Sequence, residues 1–208
     1  MTMTLPDHEL LAGAIAGRPD CLGQLLEMHA NYLKLIVAPQ LDARLQSRVS
    51  ASDIVQDTLL EAHHDFPQFR GHSCGEFISW LRKILVNNLA RQVQRHLLSG
   101  KRDARREVSL DDLRAAVDRS AMRLEAVAVH DSASPSMHAV LGENRRLLAD
   151  CLSALPEDYR EVILLRNLEG LPFPEVAERM QRSAGAVRML WLRAIDMLRI
   201  RMEEVGAL

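Results

Sequence analysis

Apolar residues recur along this chain at helical spacing. Leu22, Leu25, Leu26, Leu33, Ile36 and Val37 form one stripe and predict an amphipathic helix that Pro39 ends or kinks. Ser50 and Ser52 are candidate N-caps for the next helix, and Asp53, three residues after Ser50, completes a capping-box pattern. That helix carries Val55, Leu59, Ala62 and Phe66 on one face and stops at Pro67. Residues 69–75, Phe-Arg-Gly-His-Ser-Cys-Gly, read as a loop with two glycines. Ser73 followed by Glu76 is a second capping box, and the helix it opens runs to about Leu98. Phe77, Leu81, Ile84, Leu85, Leu89 and Val93 make its buried stripe. Trp80, Lys83, Asn87 and Arg91 fall on a different stripe of the same helix.

Between residues 99 and 138 the pattern weakens. Leu113, Val117 and Leu124 are loosely periodic, which allows an irregular helix over 109–129, and residues 131–136 read as a loop. The stretch reads as a linker with marginal helix. Periodicity returns with Leu141, Leu147, Leu148 and Leu152. Pro156 stands where a first helical turn tolerates it, and Glu157 and Asp158 suit the positive end of the helix dipole. Val162, Ile163 and Leu165 continue that helix and Gly170 stops it. A short helix follows over 174–180, then a tight turn at Gln181-Arg182, an N-cap at Ser183 and a final helix from Ala184 to about Met202. The expected architecture is all-α, with two small helical domains, 1–98 and 139–208, joined by a linker over 99–138.

Two short helices joined by so tight a turn are a helix-turn-helix candidate. Val176 and Met180 on the first, with Val187, Trp191 and Leu198 on the second, fit inward positions. The outward face of the second offers Arg188, Met189, Leu192 and Arg193. A helix fits the DNA major groove, where an arginine fork grips guanine. Ala184 and Gly185 let the backbone approach a phosphate at the helix N-terminus. A plain helical hairpin with surface arginines fits the same spacing.

Composition and charge sharpen this picture. The 208 residues are 48% hydrophobic and only 4% aromatic, which suits helices and argues against disulfide-scaffold, collagen-like and wholly disordered classes. No uncharged apolar run approaches a membrane span, and Asp7 and Glu9 stand where a signal peptide would be basic, so cytoplasm is expected and membrane insertion is not. Cys21, Cys74 and Cys151 are far apart and indicate neither a disulfide framework nor a zinc site.

The net charge of −2 hides strong segregation. Residues 70–106 carry 9 basic and 2 acidic side chains, and residues 179–201 carry 6 and 1, inside an otherwise acidic frame. Two separated basic blocks suggest a polyanion touched at two places, although solvated helix faces would look alike. On the helix from Glu76, basic residues beside Trp80 and Asn87 suit single-stranded nucleic acid, the cations holding backbone and the ring taking an unstacked base. Trp80 is equally a core candidate, and Asn87 a surface amide.

An enzyme reading finds little support. Gly100-Lys101 is followed by Arg102 and lacks the glycine spacing of a P-loop, and no His-Glu-x-x-His occurs. His63, His64 and His72 have no partner at ligand spacing, so no metal and no cofactor is expected.

Longer segments resemble a known family. Residues 51–62 (Ala-Ser-Asp-Ile-Val-Gln-Asp-Thr-Leu-Leu-Glu-Ala), Phe69-Arg-Gly and residues 77–89 (Phe-Ile-Ser-Trp-Leu-Arg-Lys-Ile-Leu-Val-Asn-Asn-Leu) look like region two of a bacterial sigma factor. Residues 155–163 (Leu-Pro-Glu-Asp-Tyr-Arg-Glu-Val-Ile), Glu175-Val-Ala-Glu and residues 183–194 (Ser-Ala-Gly-Ala-Val-Arg-Met-Leu-Trp-Leu-Arg-Ala) look like region four. With these two regions and a linker, the chain resembles the extracytoplasmic-function (ECF) group of RNA polymerase sigma factors over about residues 10–98 and 139–202.

The resemblance implies a non-enzymatic initiation factor whose partners are core RNA polymerase and promoter DNA, and it leaves room for an anti-sigma factor. Asp53, Gln56 and Asp57 match the face that docks on core polymerase, while Asp53 also serves as a cap. Phe69, Arg70, Ser73, Trp80, Lys83, Asn87 and Arg91 match the part that recognises and opens the minus-ten element. Arg182, Ser183, Gly185, Arg188, Met189, Leu192 and Arg193 match the part that reads the minus-thirty-five element. Met189 and Leu192, apolar there, either touch a thymine methyl or belong to the core. The acidic stretch 111–131 either mimics nucleic acid on the RNA exit path or is a tether. An autonomous helix-turn-helix regulator is the alternative, although the basic Trp80 helix fits it poorly.

Overall fold

The computed structural model describes residues 5–41, 45, 48–97, 109–128 and 137–206. Every element among them is helical. The helices are α1 (Asp7–Ile15), α2 (Pro19–Met28), α3 (Ala30–Val37), α4 (Ala51–Asp65), α5 (Cys74–Leu97), α6 (Leu110–Ala128), α7 (Met137–Ser153), α8 (Glu157–Ile163), α9 (Phe173–Arg179) and α10 (Ala184–Glu204). The chain divides into two compact units, Met1–Asp118 and Arg119–Leu208. The boundary falls inside α6.

In the first unit α4 packs on α5, and α2 and α3 pack on α4. Tyr32, Leu33, Ile36, Ile54, Phe77, Leu81, Leu85 and Leu89 are among its largest buried side chains, so the stripe expected on α5 faces the core. Ser50 caps α4, as the capping-box pattern requires, and Asp65 is its last residue because Pro67 cannot continue it.

Three features differ from the sequence reading. Residues 7–15, for which the sequence reading gave no element, form a helix, α1, which buries Leu10, Leu11 and Ala14 against α2, with Asp7 and Glu9 at the favourable end of its dipole. The single helix expected over Leu22–Val37 is two, α2 and α3, broken at His29 (φ −92°, ψ −2°). His29 is buried beside Asp7 of α1 (Nε2–Oδ2 3.8 Å) and the Phe77 ring. Third, the stretch expected as marginal helix holds a regular nineteen-residue helix, α6. Ser109 Oγ caps it by accepting from Asp112 N (3.0 Å), and Leu113, Val117, Ala121, Leu124 and Val127 are buried. The loop expected over 131–136 lies outside the described residues.

In the second unit α10 packs on α7, α8 and α9. Leu148, Leu152, Val162, Ile163, Leu168, Val176, Val187, Ala194 and Leu198 form its core. The helix begun by α8 ends in a π-helical turn, Leu164–Leu168. Gly170, as expected, terminates it in a left-handed conformation (φ +76°). Arg123 of α6 closes that end, its Nη1 donating to the carbonyls of Leu168 and Glu169 at 2.9 Å each. Glu125 pairs with Arg145 of α7 at 2.8 Å.

Candidate nucleic-acid interface

On α4 the three residues expected to dock are exposed. Asp53 Oδ2 accepts from Ser50 N (2.9 Å) and Ser50 Oγ (2.7 Å), and Asp53 N donates back to Ser50 Oγ (3.1 Å). These bonds, the backbone one foremost, hold the Asp53 carboxyl below the usual carboxylate range. The aspartate is thus an ionised cap and a surface charge together. Asp57 accepts from Gln92 of α5 (3.4 Å). Gln56 lines a groove of about 460 Å³ between α2, α3 and α4, with Leu26, Val55, Leu59 and Leu60 as its apolar walls.

The loop leading into α5 is held from both ends. Glu76 Oε2 accepts from His72 N (3.0 Å), Ser73 N (3.0 Å) and Ser73 Oγ (2.8 Å). The His72 and Ser73 donors keep its carboxyl below the usual range as well. At the other end Phe69 stacks on Phe66 (5.7 Å between centroids, 22°) and meets Phe77 edge-on. A Cβ at Gly71 would stand 2.5 Å from Phe69 Cζ, so only glycine lets the backbone pass this ring. Arg70 is turned back on the loop, its Nη1 donating to Pro67 O at 2.7 Å.

Trp80 is half-buried, which settles the choice between core and surface as a share of each. Its ring lies 5.3 Å from Phe69, 5.9 Å from Phe77 and 6.3 Å from Phe66. Lys83 and Asn87 are exposed on the same stripe. Arg91 is exposed too, but its Nη2 holds Glu61 of α4 at 2.8 Å. Beneath this stripe lies a residue the sequence reading passed over. Asn88 is buried and donates to Glu61 Oε2 (3.1 Å) and Thr58 Oγ1 (3.4 Å), while Thr58 donates to Ile54 O (2.7 Å). A polar residue one position beside the apolar stripe was the available signal.

In the second unit the turn between α9 and α10 turns on Gln181 in a left-handed conformation (φ +53°). Ser183 Oγ accepts from Ala186 N (3.2 Å) and starts α10. Val187, Ala194, Leu198 and Met202 face inward. Gly185, Arg188 and Arg193 are exposed, and so are Met189 (52%) and Leu192 (45%), which places both apolar side chains outside the core. Arg182 is exposed and paired with Asp158 (2.5 Å).

Two supports of this face were not anticipated. Trp191 Nε1 donates to Asn167 Oδ1 (2.8 Å) in the π turn. Phe173 lies edge-on to Trp191 and carries two guanidinium groups, Arg166 at 4.9 Å and Arg188 at 5.3 Å from its centroid. The second contact lays the exposed Arg188 guanidinium over the Phe173 ring.

Among the described residues no group of three His, Cys, Asp or Glu side chains could hold a metal, and no helix is long and apolar enough to cross a membrane. Cys21 and Cys151 are buried free thiols, and burial pushes Cys151 up.

Comparison with known proteins adds to this geometry. Residues 145–198, which span the second half of α7 through most of α10, match the family model for sigma-70 region 4. The chain is 29% identical over 198 residues to an ECF RNA polymerase sigma-E factor of Haemophilus influenzae, covering 95% of this chain and 96% of that one. It is 29% identical to the RNA polymerase sigma-H factor of Pseudomonas aeruginosa over 82% of this chain and 79% of that one. Against the ECF RNA polymerase sigma-E factor of Escherichia coli it is 30% identical over 68% of each chain. The helix-turn-helix of α9 and α10 is therefore a sigma region-four domain, and neither a plain hairpin nor an autonomous regulator accounts for the whole chain. The protein belongs to the ECF RNA polymerase sigma factors, non-enzymatic initiation factors that bind core polymerase and direct it to promoters.

Proposed function

We propose that three exposed faces divide the work of initiation, in a first domain over residues 1–98 and a second over 139–208, with the stretch between them as linker. The α4 face of Asp53, Gln56 and Asp57, with the groove beside it, docks on core polymerase. The loop 69–75 and the stripe Trp80, Lys83, Asn87 and Arg91 recognise and open the minus-ten element. A half-buried tryptophan suits that task, because the ring cluster anchors it while its exposed part takes an unstacked base. Extruding a base costs a few kcal/mol, which stacking and hydrogen bonding offset. The α10 face of Arg188, Met189, Leu192 and Arg193 enters the major groove at the minus-thirty-five element, with Arg182, Ser183 and Gly185 at its phosphate end. Arg182 gives up its Asp158 partner to do so.

The observation that carries this reading is the division of α10, whose four reading residues are all exposed while Val187, Ala194, Leu198 and Met202 are buried. Each domain alone binds DNA weakly, and attachment of both to one polymerase makes the second contact intramolecular. The protein works in the cytoplasm on this reading, and the exposed α4 face is also open to an anti-sigma factor. The test is run-off transcription with core polymerase on a library of promoter fragments. Initiation at a defined subset, lost in Arg188→Ala, supports the assignment; core binding without initiation would reject it.

A further inference from the structure

The recognition helix exposes a narrow chemistry. From Ala184 to Ile195 the chain contains no Asn, Gln, Ser, Thr, Asp or Glu. Beyond alanine and glycine, the exposed side chains of these turns are Arg188, Met189, Leu192 and Arg193. Ser183, just before them, already uses its hydroxyl oxygen to cap the helix. Met189 and Leu192 stand at i and i+3 and so share a face, 52% and 45% exposed, with an arginine on either side. Those flanking cations suit a polyanionic partner and none of the remaining turn opposes them. Arg188, 5.3 Å over Phe173, is held next to Met189.

In the major groove each base asks for a different partner. Adenine is read by the paired donor and acceptor of Asn or Gln, the cytosine amino group by a carboxylate, guanine by an arginine fork and the thymine methyl by apolar contact. Among the exposed side chains of residues 184–195 only the last two chemistries exist. We propose that α10 reads a two-letter code, with Arg188 and Arg193 taking guanine edges and Met189 and Leu192 taking thymine C5-methyl groups. Adenine and cytosine are then specified only as the opposite partners of thymine and guanine. This rests on the major-groove docking proposed above. Removing one methyl from an apolar contact weakens binding about fourfold.

The test begins with holoenzyme, core polymerase plus the full chain, selecting promoters from a library randomised over the minus-thirty-five region. Selected duplexes are remade with deoxyuridine at each thymine in turn, which deletes only the C5-methyl. Binding should fall about fourfold at one or two positions. That penalty should vanish in Met189→Ser or Leu192→Ser, whichever faces the methyl, while the guanine preference persists and shows the variant folded. Equal binding of thymine and uracil everywhere, with Arg188→Ala still weakening guanine selection, overturns the methyl assignment and leaves the docking intact. No enrichment of any sequence over the randomised region overturns the docking itself and this code with it.

Discussion

Arg123 is one side chain that ties α6 to the end of the π turn, and its removal has a calculable cost. Its Nη1 donates to Leu168 O and Glu169 O, both at 2.9 Å, the first partly buried and the second in contact with solvent. A charged donor on a buried carbonyl contributes roughly 1.5–3 kcal/mol, and water substitutes for much of the exposed one. A cation at a helix C-terminus adds about 0.3–1 kcal/mol. With partial exposure discounted, Arg123→Ala should destabilise the Arg119–Leu208 unit by about 1.5 kcal/mol. For a unit of this size that lowers its melting temperature by roughly 6–12 °C. The assay uses the chain's two tryptophans, one in each unit. In a Trp80→Phe background, Trp191 fluorescence reports the second unit alone. A cycle with Gly170→Ala tests the geometry further. A Cβ there would lie 3.1 Å from the Arg123 guanidinium, at φ +76°. Arg123→Ala relieves the crowding but not the backbone strain, so the double variant should lose less than the sum of the singles. A change under about 0.5 kcal/mol for Arg123→Ala would refute the reasoning and make Arg123 an ordinary surface residue.

Three other perturbations separate structure from function. Glu76 is held below its ordinary value of 4.5 by His72 and Ser73, so its stabilisation is present above that value and lost as pH falls through the lower folded one. Glu76→Gln should therefore weaken the first unit near neutrality and match the parent in acid; urea titrations showing the same deficit at both pH values would reject this. Ser50→Ala should cost about 1 kcal/mol of stability and leave core-polymerase affinity unchanged, whereas Asp53→Arg should weaken that affinity in a pull-down. Equal retention of both variants would remove Asp53 from the docking face. Trp80→Ala should lower stability by about 2 kcal/mol, half the cost of a buried tryptophan, and impair promoter opening more than core binding. A pre-melted template should restore initiation, and its failure would assign Trp80 to packing alone.

Much of this was legible because local rules and burial agree. Both capping boxes form as their serine–acid spacing requires, and every residue of the α5 stripe from Phe77 to Val93 is buried. The break at His29 was not legible, because α2 and α3 keep the apolar phase of one helix and the neighbours of the His29 ring, Asp7 and Phe77, lie far away in sequence. The regularity of α6 was underestimated for a similar reason, since Ala121 and Val127 complete its stripe only as buried neighbours. Asn88 and Arg123 act across 27 to 46 residues, which periodicity does not see. The outward residues of α10 were legible by spacing, but the exposure of Met189 and Leu192 took the folded unit to establish.

The loop before α5 separates frame from content. Phe69 and Gly71 are matched to each other as ring and gap, so a side chain at 71 would displace the ring at 69. Ser73 and Glu76 close the far side. His72 contributes its backbone N–H to that frame and its side chain is exposed, while a Cβ at Gly75 would meet nothing within 4 Å. Position 72 in the loop and position 75 in the first turn of α5 are thus places where a combinatorial library would vary this surface without disturbing its shape. Sequence drift between descendants of this protein would gather at those positions, and a side chain at 71 would need a smaller residue at 69.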